Sequence, residues 1–84
     1  MDIVQYRKYL EQYVTTALQD SDGTITGVSE YLEEIKTGGR FTRHKEEKRR
    51  ALADAQKAFY EHRHWPMEII ISHLGLNPDI INQS

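Results

Sequence analysis

Apolar residues recur along this chain at helical spacing, and nowhere do they alternate for long enough to suggest a useful strand. Starting at Ile3 and advancing about 100° per residue, Leu10, Val14, Ala17 and Leu18 fall on one stripe. Tyr6, Tyr9 and Tyr13 flank that stripe, and Lys8, Gln12 and Thr15 lie opposite. This pattern predicts a first helix over residues 2–19 whose apolar arc is wide for so short a chain. Asp20-Ser21-Asp22-Gly23 predicts a turn, since Asp bonds nearby backbone and Gly supplies positive φ. A second helix is expected from Thr26 or Gly27, with Val28, Tyr31, Leu32 and Ile35 at i, i+3, i+4 and i+7. Lys36 suits its last turn, and Gly38-Gly39 stops it.

The third helix is expected over about 42–64, with Thr42 as its cap and Ala51, Leu52, Ala55, Ala58, Phe59 and His62 on its inner stripe. Pro66 ends it, because the residue before a proline is pushed out of helical geometry. That leaves Trp65 packed at a corner and lets Pro66 open a fourth helix, with Met67, Ile70, Ile71 and Leu74 as its apolar face. Gly75 suits the left-handed position after the helix, which brings Leu76 back onto Ile71. Asn77-Pro78 signals a restart, with Ile80 and Ile81 in one short last turn. The fold class is therefore all-α, a small compact bundle of four helices plus a short C-terminal helix, in a single domain over residues 1–84.

Composition changes this picture mainly by making the core thin. A chain of 84 residues buries only roughly 60–65% of the surface it exposes when unfolded. The apolar share is 38%, so a partner or a second copy would help to hold the fold. The absence of cysteine excludes disulfides and zinc–thiolate sites. No run of about 18 apolar residues could span a membrane. Asp2, Arg7, Lys8 and Glu11 interrupt any signal-peptide core, which makes a cytoplasmic location the expectation.

Net charge is −2, but it is segregated. Residues 1–38 hold seven acidic and three basic side chains, residues 39–63 hold four acidic and eight basic, and residues 64–84 add Glu68 and Asp79. The basic segment Arg40-Phe41-Thr42-Arg43-His44-Lys45-Glu46-Glu47-Lys48-Arg49-Arg50 is the leading candidate for binding. Glu46–Arg50, Arg50–Asp54 and Lys57–Glu61 are i, i+4 pairs that describe a solvated helix face. They leave Arg40, Lys45 and Lys48 without an acidic neighbour at those spacings. Lys48 continues the line of the core stripe, so either its stem snorkels or the first turns of helix three project beyond the core. In the second case Arg40, Arg43, Lys45, Lys48 and Arg49 form a site for phosphates or an acidic protein surface.

Candidate chemistry is sparse. Asp20-Ser21-Asp22-Gly23-Thr24 resembles the Asp-x-Asp-Gly-Thr signature of haloacid-dehalogenase-like phosphatases, but that motif follows a buried strand in a large α/β domain. The same residues resemble an EF-hand calcium loop, yet Leu18 and Ser29 stand where its two end ligands belong. A helix–helix turn is the simpler reading. His62 and His64 point about 200° apart on a helix, so they do not pair on one metal; His62 instead reads as a buried, hydrogen-bonded core residue. No nucleophile elbow or phosphate loop is present, and the expectation is no catalytic residue, no metal and no cofactor. Residues 70–81 echo a helix-turn-helix, but the second helix carries no Arg or Lys and only Asn82 and Gln83 could read bases.

Tyr6, Tyr9 and Tyr13 suggest a protein interface, and the expected assembly is a homodimer. The functional expectation is a small non-catalytic regulator or inhibitor acting by protein–protein contact, in the style of phage or plasmid modulators of a larger nucleic-acid-handling machine. The alternative is nucleic-acid binding through residues 40–50.

Overall fold

The computed structural model describes residues 2–37 and 46–83, with the side chains of residues 82 and 83 left aside. Four α-helices follow one another: α1 (Ile3–Asp20), α2 (Ile25–Lys36), α3 (Glu46–Glu61) and α4 (Met67–His73), and a 3-10 helix (Pro78–Gln83) closes the chain. The all-α class and the short C-terminal helix agree with the periodicity, and no strand occurs among the described residues.

Each boundary has a local cause. Asp2 caps α1 through its carboxylate, which accepts from the Val4 N–H at 3.1 Å. Thr24 caps α2, its hydroxyl accepting from the Gly27 N–H at 3.0 Å. The second helix therefore begins at Ile25, just ahead of the expected Thr26 or Gly27, because Thr24 is the better N-cap. The expected cap of helix three, Thr42, lies outside the described residues.

The end of α3 corrects the sequence reading. The helix stops at Glu61, not near residue 64, and residues 62–65 form a turn in which the Trp65 N–H donates to the His62 carbonyl at 2.8 Å. Proline restricts the residue before it to extended backbone, and the chain needs several more residues to swing α4 back over the core. Pro66 is accordingly the residue flanking α4 (φ −57°, ψ 146°), and Met67 is its first helical residue.

The stop of α4 follows expectation. Gly75 has φ +81°, its N–H donates to the Ser72 carbonyl at 2.9 Å, and the Leu76 N–H donates to the Ile71 carbonyl at 3.1 Å. These are the two bonds of a Schellman turn, with Leu76 and Ile71 both buried beside it. The guanidinium of Arg7 lies against this turn, about 3.6 Å from where a Cβ on Gly75 would stand. A cation there complements the carbonyl end of α4.

The core joins one stripe from each helix: Leu10, Tyr13, Val14 and Ala17 from α1; Val28, Leu32 and Ile35 from α2; Ala51, Leu52, Ala55, Ala58 and Phe59 from α3; Ile70 and Ile71 from α4. Leu76 and Ile80 complete it from the C-terminal segment. The alanines of α3 let α1 and α2 approach closely, and α3 packs against both of them and against α4. Two expected core positions fall elsewhere. Ile3 is 64% exposed, and His62 is half-buried beyond the end of α3.

Candidate functional site

The start of α1 meets the first half of α3 at an open groove of about 570 Å³. Ile3 and Tyr6 line it from α1, and Glu46, Glu47, Arg50 and Asp54 line it from α3. Helical spacing explains the set. Ile3 and Tyr6 are three apart, while Glu46, Arg50 and Asp54 are each four apart, so both helices present one row to the gap. The groove is closed on one side by a hydrogen bond from the Tyr6 hydroxyl to Asp54 Oδ2, a contact between residues 48 apart in sequence. Burial, together with the Asp54 carboxylate that needs the phenol proton, pushes the Tyr6 hydroxyl up to about 12, while the Arg50 charge pulls the other way.

The i, i+4 spacing puts Asp54 on the solvated salt-bridge face of α3. It is engaged instead by α1, and the pair Lys57–Glu61 closes on the outer face at 3.9 Å. Ile3, at the groove wall, and Val4, the next residue on the first turn of α1, are 64% and 61% exposed. The apolar stripe of α1 thus runs past the last residue that the other helices cover.

The tyrosine flank occupies three different environments. Tyr6 is half-buried against Asp54. Tyr9 is half-buried, accepts from Gln5 Nε2 at 3.2 Å, and carries the Lys48 ammonium 4.9 Å above its ring. Tyr13 is inside the core, where burial first and Tyr9 second raise its phenol above the ordinary value. Of the three residues read as an interface, then, Tyr6 and Tyr9 retain open surface and Tyr13 is a core residue.

Of the basic set, Arg40, Arg43 and Lys45 lie outside the described residues. Lys48 is half-buried, and its ammonium makes a cation–π contact with Tyr9 of α1. Arg49 is exposed on the next position of α3.

The acidic turn is committed to structure. Asp22 Oδ1 accepts from the Thr24 N–H at 2.9 Å and from the Thr24 hydroxyl at 2.6 Å, and these bonds hold its carboxyl below the usual range. Asp20 Oδ2 accepts from the Tyr31 hydroxyl at 2.9 Å. Asp20 therefore ties α1 to α2, and Asp22 shapes the turn that leads into the Thr24 cap. Among the described residues, no three His, Asp or Glu side chains stand close enough to hold a metal ion.

At the opposite corner, the His62 ring stacks on Trp65 with centroids 3.9 Å apart and planes 8° apart. His73 meets both rings edge-on, at 4.7 Å from His62 and 5.7 Å from Trp65. His62 is thus an aromatic brace between α3 and α4 and not the buried core residue its stripe position suggested.

The groove was not anticipated from sequence. The signal available was the width of the apolar arc of α1, which exceeded what a small core could cover. No protein-family model, curated protein or solved structure matches this chain.

Proposed function

We propose that this chain is a small, non-catalytic regulator or inhibitor that works by direct contact with a larger protein. The observation that carries this reading is the exposed pair Ile3 and Val4 beside the charged groove. A single exposed aliphatic residue is ordinary on any surface. Here two adjoin at a helix tip, next to a cleft with an apolar wall and a charged rim, which is the anatomy of a protein-binding surface. The small core supports the same reading, because contact with a partner would cover apolar surface that the chain leaves open.

The proposal extends to a cytoplasmic location and to host machines that handle nucleic acid, for which segregated charge and small size are the support. Among the described residues, no helix is long and apolar enough to cross a membrane. Self-association, if it accompanies function, would use the open edges of Tyr6 and Tyr9.

A photo-crosslinking amino acid placed at Val4, in cells of the native host, tests the reading. The expected result is a protein adduct of one discrete mass that disappears when Ile3→Asp is added. Adducts to nucleic acid alone, or no adduct at all, would sink it. Nucleic-acid binding through residues 40–50 is the second reading, resting on the exposed Arg49 and on the sequence around it. Lys45→Glu with Lys48→Glu must abolish salt-sensitive DNA binding if that reading holds.

A further inference from the structure

The charge of the groove specifies more than its shape does. Its described lining holds three carboxylates, Glu46, Glu47 and Asp54, against the single cation Arg50. Asp54 is already engaged by the Tyr6 hydroxyl, and Arg50 sits one helical turn from both Glu46 and Asp54, between them. Glu46, exposed, and Glu47, half-buried, are therefore the carboxylates left at the mouth, directly beside the open aliphatic surface of Ile3.

We infer that this groove takes a lysine or arginine side chain presented by a basic, aliphatic-rich segment of a protein partner. The inference rests on the protein-contact reading above and adds the chemistry of the occupant. A long cationic side chain is amphipathic, with a hydrocarbon stem and a charged head. The stem lies along Ile3 and the Tyr6 ring, and the head reaches Glu46 and Glu47 at the groove mouth. An aliphatic neighbour on the partner segment covers Val4. A nucleic-acid phosphate is disfavoured at the same place, because the described lining sets three carboxylates against one guanidinium.

Selection of a random dodecapeptide display library against the full-length chain tests this, followed by fluorescence anisotropy with labelled winners. The expected winners carry Lys or Arg next to Leu, Ile or Val. Their affinity falls roughly tenfold with Ile3→Ser, and roughly tenfold with Glu46→Gln plus Glu47→Gln, which also removes most of the salt dependence. Glu11→Gln, an exposed change on α1 away from the groove, leaves binding unchanged. All these positions have substantial solvent contact, and helicity by circular dichroism confirms that each variant folds.

The outcomes separate the two claims. Winners that need Ile3 but ignore Glu46 and Glu47, or that lack basic residues, overturn the cationic occupant and leave the protein-contact reading standing. Winners that ignore Ile3, or a library that yields no binder, overturn both. A labelled DNA duplex whose binding is lost with Ile3→Ser, or a concentration-dependent dimer lost with the same change, would overturn the inference by naming another occupant.

Discussion

The two ends of α1 carry the same kind of residue and meet opposite fates. Leu10, Val14 and Ala17 are buried, while Ile3 and Val4, on the first turn, are more than half exposed. At the Asp20 end the helix is wrapped: Asp20 bonds to Tyr31, Asp22 bonds twice to Thr24, and α2 folds back onto it. At the Ile3 end it meets α3 at an open groove, with the Tyr6–Asp54 contact as the last tie. Identical hydrophobicity therefore has two meanings within one helix. At the closed end it stabilises the fold, and at the open end it is surface available to a partner.

Truncation at the two ends should separate these meanings most sharply. Leu10→Ala removes a side chain that is 2% exposed, and should cost about 2–5 kcal/mol in urea unfolding. Ile3→Ala, on the same stripe, should change stability by less than about 0.5 kcal/mol. Equal losses at both positions would show that the open end is covered in solution and would erase the contrast.

How much of this contrast was legible in the sequence depends on which part is considered. The helical periods of α1, α2 and α4 were readable because each buries one stripe, and Gly75 announced its turn through the conformation it alone adopts easily. The exposure of Ile3 was not readable. It depends on where α3 and α4 run out, which is a tertiary fact that no local pattern encodes. His62 misled for the same reason: its spacing continues the α3 stripe, but the helix ends at Glu61, just before it, to leave room for the turn into Pro66. The Tyr6–Asp54 bond spans 48 positions, so the i, i+4 rule assigned Asp54 to Arg50 by default.

Ser29 offers the next largest effect and tests how tightly the closed side is packed. It is buried on α2, and its hydroxyl has no hydrogen-bond partner among the described residues. A buried unpaired hydroxyl is costly, and alanine is the better helix former. Ser29→Ala should raise stability by about 1 kcal/mol, read as a higher urea midpoint at unchanged slope. A loss of stability would mean that the hydroxyl is used in solution and that the closed side is less apolar than its neighbours imply.

The closed end also contains a substitution whose sign should depend on its neighbour. A Cβ on Gly27 would collide with Asp22 Oδ1, so alanine there must displace the carboxylate from Thr24. Gly→Ala in a helix otherwise gains up to about 1 kcal/mol. Gly27→Ala should therefore give little or no gain alone, and a clear gain in an Asp22→Ala background. Because the fold holds the Asp22 carboxyl below its ordinary value, the advantage of Asp22 over alanine is present above pH 3.8 and fades as pH falls through the lowered value. Additive effects of the two substitutions at neutral pH would remove Asp22 from the wrapping of this corner.

Tyr6 stands on the boundary between the two ends, and its smallest effect at neutral pH hides a distinct one at high pH. Tyr6→Phe keeps the ring in the groove wall and removes the bond to Asp54, at a cost of about 0.5–1 kcal/mol near pH 7. The fold favours the neutral phenol, so the contribution of Tyr6 is whole below pH 10 and is lost as pH rises through about 12. Tyrosinate absorbance should show Tyr6 ionising around pH 12 in the folded protein, with the buried Tyr13 also titrating late. Tyr6→Phe should delete the pH 12 component and flatten part of the stability loss between pH 10 and 12. If Tyr6 instead ionises near pH 10 while the protein is still folded, the Tyr6–Asp54 tie is open in solution. The boundary of the exposed end would then lie nearer Leu10, and more of α1 would be free to meet a partner.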